Sequence, residues 1–263
     1  MAPRRVLVSG ALGRMGERVR AALEDEPSLV LGAALEAPDS PRLGDTLERG
    51  VCLGADAEAA LAAADVLIDF TVPAASLALL RRAAERGVAA VVGTTGFDEA
   101  GRAELAQLAR KIPLLHAPNF SVAVNVLAHL VGEATRLLGP GFDAEIVEIH
   151  HGAKRDAPSG TALRLAEAVA AARGERLAER GVFARHGETG ARAPGAIGVQ
   201  ALRGGDNPGE HTVYFFGTGE RLELTHRAAT RDHFARGAVR AAAWLVGRAP
   251  GRYDMREVLG LPD

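Results

Sequence analysis

The sequence predicts an α/β protein: a Rossmann-like doubly wound parallel sheet followed by a second α+β domain with a mixed or antiparallel sheet. Three observations carry that expectation. In the first half, short apolar runs alternate with Ala- and Leu-rich amphipathic stretches, and a glycine-rich turn joins the first run to the first such stretch. Beyond Pro118 the alternation gives way to successive strand-like runs.

The apolar runs are RRVLVSG, LVLGAALE, DVLIDF, VAAVVGTT and IPLLHAP; the helical stretches between them are MGERVRAALED, ADAEAALAAA, SLALLRRAAERG and DEAGRAELAQLARK. Strands this apolar, linked by helical crossovers, lie parallel with both faces covered. After Pro118 a long helix is expected from Val122 to Leu138, then the strand EIVEIHH, a helix from about Thr161 to Ala172, and an irregular Gly- and Arg-rich stretch. Three strands follow, AIGVQALRG, HTVYFFGT and ERLELTHRA, with a turn signal at Gly217 to Gly219 before the last. A closing helix, Phe234 to Val246, carries Ala, Val and Leu on one face and is expected to pack back on the first domain. The division expected is residues 1–121 with 232–263 for the dinucleotide-binding domain and 122–231 for the second.

A chain of 263 residues with 48% apolar and 24% charged residues is long enough for two cores. A net charge of -2 provides no field for nucleic acid or an anionic membrane, so neither is expected as a partner. The single Cys52 cannot form an intrachain disulfide and is too few thiols for a zinc cluster; no metal is expected. With no apolar run of membrane-spanning length and no signal-like start, the expected location is the cytoplasm. Of 31 basic residues only Lys111 and Lys154 are lysines, so a lysine kept in this arginine-biased chain points to a role that a surface charge alone does not explain.

The turn after the first strand reads Gly10-Ala11-Leu12-Gly13-Arg14-Met15-Gly16. Glycines so placed permit a tight turn, let the main chain approach a pyrophosphate and let the helix sit close to the strand, while the free N–H groups of the helix start receive the anion. Arg14 adds charge. Glu36 ends the second strand about 20 residues later, where an acid accepts hydrogen bonds from ribose hydroxyls. Asp69-Phe70-Thr71 and Gly93-Thr94-Thr95-Gly96 end two further strands at the same carboxyl edge, leaving room for a nicotinamide ribose.

The least ordinary segment is Glu145 to Thr161, EIVEIHHGAKRDAPSGT. A strand delivers His150 and His151, whose side chains point to opposite faces; Lys154 follows, and Ser159-Gly160-Thr161 opens a helix. Histidine donates a proton near neutral pH, lysine is a compact cation, and a helix start offers N–H groups and hydroxyls to a carboxylate. Ser159 suits an N-cap as well as ligand contact. The His-x-x-x-His spacing of a helical zinc site and the Gly-x-Ser-x-Gly elbow of a serine hydrolase are both absent.

With GALGRMG, DFT, GTTGF, APNFSVAVN, EIHHGAKRDAPSGTAL, GEHTV and GERLELTHRA in that order, the chain resembles the 4-hydroxy-tetrahydrodipicolinate reductase family of the diaminopimelate and lysine pathway. The resemblance implies reduction of a small cyclic dicarboxylate by NADH or NADPH, a second domain serving substrate and subunit contacts, and a homotetramer. It also implies cofactor contacts from Gly13, Arg14 and Met15 at the pyrophosphate and Glu36 at the adenosine ribose. Thr71, Gly93, Thr94, Asn119 and Phe120 would line the nicotinamide end, with Arg231 and Phe234 approaching from the returning tail. His150 would be the proton donor, Lys154 its companion, and His151, Ser159, Gly160 and Thr161 the carboxylate contacts. Ala37 stands where relatives that accept a 2′-phosphate often carry arginine, which favours NADH, with Arg42 as the one nearby substitute. Dehydrogenases acting on an aldehyde, semialdehyde or sugar share such a fold, and a silent dinucleotide-binding protein would keep its first half. The His-His-x-x-Lys stretch separates the chain from both.

Overall fold

The computed structural model describes residues 2–262, which form two compact units: one runs to Val122 and resumes at Asp232, and the other spans Ala123–Arg231. In the first unit lie β1 (Arg4–Ser9), β2 (Leu29–Leu35), β3 (Leu53–Gly54), β4 (Val66–Asp69), β5 (Ala89–Val92), β6 (Pro113–His116) and β12 (Gly251–Tyr253). They make one parallel sheet in the order β12-β6-β5-β4-β1-β2-β3. The chain winds outward from β1 through β2 and β3, then returns to wind the other way through β4, β5 and β6. The reversal falls between β1 and β4, where an open α/β sheet holds its ligand.

Both faces of this sheet are covered, as its apolar strands require. Val6 and Val8 belong to one core cluster and Leu7, between them, to the other. Helices α1 (Arg14–Leu23), α2 (Ala57–Ala62), α3 (Pro73–Arg86), α4 (Glu99–Leu108), α8 (Asp232–Leu245) and α9 (Met255–Leu259) complete the unit. The closing helix α8 packs through Ala235, Ala238, Ala242 and Leu245 into the cluster that holds Val6, Val8 and Ile68. Its small residues permit close approach: a Cβ at Gly237 would stand 1.8 Å from the Phe120 carbonyl oxygen. The doubly wound class read from the sequence is the one observed. β3 and β12, two and three residues long, are too short for any apolar period to announce them.

The second unit holds α5 (Val122–Leu138), β7 (Asp143–His150), α6 (Gly160–Ala172), α7 (Leu177–Arg180), β8 (Gly181–Val182), β9 (Ile197–Arg203), β10 (Glu210–Phe216) and β11 (Arg221–Arg227). Its sheet is mixed, in the order β11-β10-β7-β9-β8; β7 and β8 run parallel to β9, and β10 antiparallel to β7 and β11. Along β7 burial alternates with period two, and the buried side chains are Ala144, Ile146, Glu148 and His150. The first two pack with Val213 and Phe215 of β10 against Leu165 and Val169 of α6. At the carboxyl end of β7 the same face turns polar, with Glu148, His150 and, from β10, His211.

Candidate active site

The glycine turn is held from several sides. Gly10 adopts a φ of +64°, and Gly13 N–H closes back on the Gly10 carbonyl at 2.9 Å. Ala11 N–H reaches the Leu35 carbonyl of β2 at 3.1 Å, and the buried Arg20 donates Nε–H to the Ala11 carbonyl at 3.0 Å. A Cβ at Gly16 would lie 2.1 Å from the Gly10 carbonyl oxygen, so this third glycine is what lets α1 sit against β1. Asp98 caps α4 and Ser159 caps α6, but no side chain caps α1 at Gly13, so its first-turn N–H groups face outward as an anion cradle. Arg14 is exposed and Met15 half-buried beside them.

Glu36 is fixed to this turn. Its Oε2 accepts the Leu12 N–H at 3.0 Å and its Oε1 the Ala37 N–H at 3.1 Å, leaving further lone pairs for hydroxyl donors. Arg42 is committed elsewhere, its Nε–H donating to Asp45 at 2.7 Å. At the ends of β4 and β5, Thr71 and Thr94 both donate their hydroxyls to Asp69, while Thr95 is exposed. Gly93 packs flat on Phe70, whose ring a Cβ there would meet at 2.0 Å. Asn119 caps the main chain of Ser121 at 2.8 Å. The Phe120 ring departs from the expectation of a lining residue: the residue is 1% exposed, with its ring set edge-on to Phe70 in the core. Phe234, in α8, is half-buried with its ring against His233. These glycines, the uncapped helix and the strand-end acid suit a dinucleotide.

The second unit gathers a polar cluster at the end of β7. His150 Nδ1 lies 2.5 Å from Glu148 Oε2. The Arg203 guanidinium grips the same carboxylate with two bonds of 2.8 Å, and the Ser159 N–H gives it a third donor at 3.0 Å. Strand register makes the group: β9 sets Arg203 beside His150, and β10 sets His211 beside Glu148. Burial alone would push the Glu148 carboxyl up, but Arg203, His150 and the Ser159 N–H outweigh it and hold it below the usual carboxylate range. For His150, burial is the stronger influence: it pushes the imidazole below the ordinary histidine value, although Glu148 pulls the other way and Lys154 and Arg203 add to the fall. With Nδ1 committed to Glu148, Nε2 is the atom left to exchange a proton. A Cβ at Gly209, which holds a φ of +145°, would stand 2.8 Å from that Nε2.

His151 is the first residue beyond the strand. Its N–H bonds the Asn207 carbonyl at 2.9 Å and its Nε2 lies 3.4 Å from Arg231 Nη2, so Arg231, the last residue of this unit, stands among the histidines. Lys154 pairs with both oxygens of Asp156 at 2.9 Å. Ser159 is turned inward: its hydroxyl accepts the Ala162 N–H at 3.1 Å and meets His211 Nε2 at 3.0 Å, and the residue is 3% exposed. The expectation of ligand contact through this side chain meets a hydroxyl committed as a cap and a brace. Gly160, exposed, and Thr161, half-buried, form the open part of that helix start.

Models of two protein families match nearly the whole chain: "Dihydrodipicolinate reductase, N-terminus" over residues 4–120 and "Dihydrodipicolinate reductase, C-terminus" over residues 123–259. The chain belongs to the dihydrodipicolinate reductase family. The 4-hydroxy-tetrahydrodipicolinate reductase of Anaeromyxobacter dehalogenans strain 2CP-1 is 52% identical, covering 98% of each chain. That of Syntrophotalea carbinolica is 50% identical over 98% of this chain and 99% of its own. Among solved structures, the dipicolinate-bound dihydrodipicolinate reductase from Paenisporosarcina sp. TG-14 superposes with a TM-score of 0.79 at 26% identity, covering 97% and 98% of the two chains. As a dihydrodipicolinate reductase family member the chain is an oxidoreductase with a nicotinamide cofactor. Among the described residues no helix is long and apolar enough to cross a membrane.

Sequence patterns alone assign no role to Glu148, Arg203, His211 or Asp156 in this family member. Glu148 carries a usable signal, since residues two apart on a strand share a face and His150 stands out by itself. Arg203 and His211 carry none, because strand register is set in three dimensions.

Proposed function

We propose that the chain reduces 4-hydroxy-tetrahydrodipicolinate to tetrahydrodipicolinate, with His150 as proton donor. The observation that carries this reading is the buried Glu148–His150 pair, which gives one imidazole a fixed orientation beside Lys154 and an open helix start. When bound, the reduced nicotinamide supplies a hydride to ring C4 of the substrate after its 4-hydroxyl has left. Glu148 holds His150 with Nδ1–H toward the carboxylate, so the proton that completes reduction of the ring leaves from Nε2. Lys154 and the Gly160-Thr161 main chain hold one substrate carboxylate, and His151 with Arg231 suits another. Ser159 positions both halves, through its N–H on Glu148 and its cap on α6.

On the cofactor side, Gly10, Gly13, Arg14, Met15 and Gly16 receive the pyrophosphate and Glu36 the adenosine ribose. NADH is the preferred cofactor in this reading, because a 2′-phosphate would meet the Glu36 carboxylate while Arg42 is tied to Asp45. The second unit also serves self-association into a homotetramer, a role supported by the exposed Leu202 of β9 and Phe216 of β10, which lie on the open face of its sheet. The single Cys52, with no helix among the described residues long and apolar enough to cross a membrane, suits a cytoplasmic location.

The test is oxidation of NADH, followed at the nicotinamide absorbance band, on addition of freshly generated 4-hydroxy-tetrahydrodipicolinate. Turnover with NADH above NADPH is the expected result; no oxidation with either cofactor would end the proposal.

A further inference from the structure

Arg20, in α1, is a buried guanidinium with two commitments. Its Nη1 reaches both oxygens of Glu48, and its Nε–H donates to the Ala11 carbonyl at 3.0 Å. Glu48 belongs to a turn closed by the Thr46–Cys52 bridge and seated on the core through Leu47 and Val51, so the head of Arg20 is held from outside its own helix.

The other end of the same peptide unit belongs to Glu36. The bond from Ala11 to Leu12 carries both the carbonyl that Arg20 holds and the N–H that Glu36 Oε2 accepts at 3.0 Å. A trans peptide is a rigid plane whose C=O and N–H point in opposite directions, so fixing one end fixes the other. Ala11 is completely buried, so its carbonyl has no water to bond once the guanidinium is withdrawn. Turning the plane over would take the Leu12 N–H away from Glu36 and set a carbonyl oxygen against its carboxylate. We propose that Arg20 is a positioning residue for the adenosine-ribose acid: by holding the Ala11 carbonyl it aims the Leu12 N–H, which keeps Glu36 set to accept the ribose 2′-hydroxyl. The inference rests on the cofactor reading given above and adds a residue that acts on the ribose acid through the main chain alone.

The experiment uses two substitutions that share the loss of the Glu48 contact and differ at one atom. In Arg20→Gln the amide nitrogen stands as far along the side chain as Nε and still donates to the Ala11 carbonyl; in Arg20→Met a methyl carbon stands there. Calorimetric titration compares NADH with its 2′-deoxyadenosine analogue, which lacks the hydroxyl that Glu36 accepts. The wild-type protein should bind NADH about tenfold more tightly than the analogue, the scale of one hydrogen bond to a charged group. Arg20→Met should cut that preference to about twofold by weakening NADH and not the analogue, whereas Arg20→Gln should keep it within about twofold of the wild type. A merely structural role would shift both dinucleotides alike and would not tell the two variants apart. Should Arg20→Met not fold, Arg20→Gln and Glu48→Ala decide the matter: both open the ion pair and spare the donor, so both should hold the preference, and its loss in either overturns the inference. An undiminished preference in Arg20→Met overturns it too. A wild-type protein that binds NADH and the analogue equally, or binds neither, overturns instead the cofactor reading beneath it.

Discussion

Nδ1 of His150 and Oε2 of Glu148 lie 2.5 Å apart, joined across one pleat of a single strand. Residues two apart on β7 share a face, so the strand itself brings acid and imidazole together without help from a loop. The carboxylate is in turn clamped by Arg203 and the Ser159 N–H, so the imidazole can neither flip nor swing without breaking its buried hydrogen bond to a fixed acceptor.

Glu148→Gln should therefore lower kcat by about 10- to 100-fold, the scale seen when a supporting partner of a functional histidine is lost. KM should move far less, since Glu148 is fully buried and meets no substrate. Steady-state kinetics separate the two; a rise in KM with kcat unchanged would assign Glu148 to binding instead.

His150→Gln should cost about 100-fold or more in turnover, as for loss of a general acid. The acid must be protonated to act, and burial sets the His150 pKa below the ordinary histidine value. In the wild type kcat/KM should thus fall as pH rises through a midpoint below about 6.5. That limb should vanish in the variant, which a pH–rate profile will show.

His211 governs stability in acid. Burial, with repulsion from His150 second, pushes it down to about 3, so it is neutral in the folded protein at pH 7. An unfolded histidine takes its proton near 6.5, so the unfolded state binds more protons as pH falls from about 6.5 toward 3, and stability drops by up to about 1.4 kcal/mol per pH unit. His211→Asn should shrink the loss in unfolding free energy between pH 7 and pH 5 by about 2 kcal/mol, measured by urea titration.

Lys154→Ala should raise KM and lower kcat together, because the ammonium both binds a carboxylate and offsets charge during reduction. Asp156→Asn, which frees Lys154 from its exposed partner, should leave kcat within about threefold, since such a pair is worth under about 1 kcal/mol. Equal damage from both substitutions would place the function in the pair and not in the lysine.

Glu36→Ser removes the carboxylate that would face a 2′-phosphate. The ratio of kcat/KM for NADPH over NADH should rise about tenfold or more, equivalent to about 1.4 kcal/mol. A falling ratio in side-by-side assays would show that Glu36 serves only to brace Leu12 and Ala37.

Much of the first unit was legible because a parallel sheet buried on both faces writes itself as apolar runs: β1, β2, β4, β5 and β6 all coincide with runs such as VLVS and VLID. Its glycine turn was legible because positive φ and close helix approach demand glycine at Gly10 and Gly16. What escaped depends on partners far along the chain. β12 pairs with β6 across more than a hundred residues, and Arg203 finds Glu148 only through the register of β9 against β7. Ser159 was visible as a cap, but its commitment to His211 depends on a third strand. Phe120 had the right neighbours in the sequence for a ligand contact, and only its burial and its packing against Phe70 show that its ring is core.

Gly209 decides how much of the imidazole a small molecule can touch. Glu148 and the edge-on His211 ring hold the imidazole on one side, whereas at this position a methyl group would stand 2.8 Å from Nε2. A single-atom plug installed there, Gly209→Ala, would test whether the ring can be walled off while its Glu148 anchor stays intact.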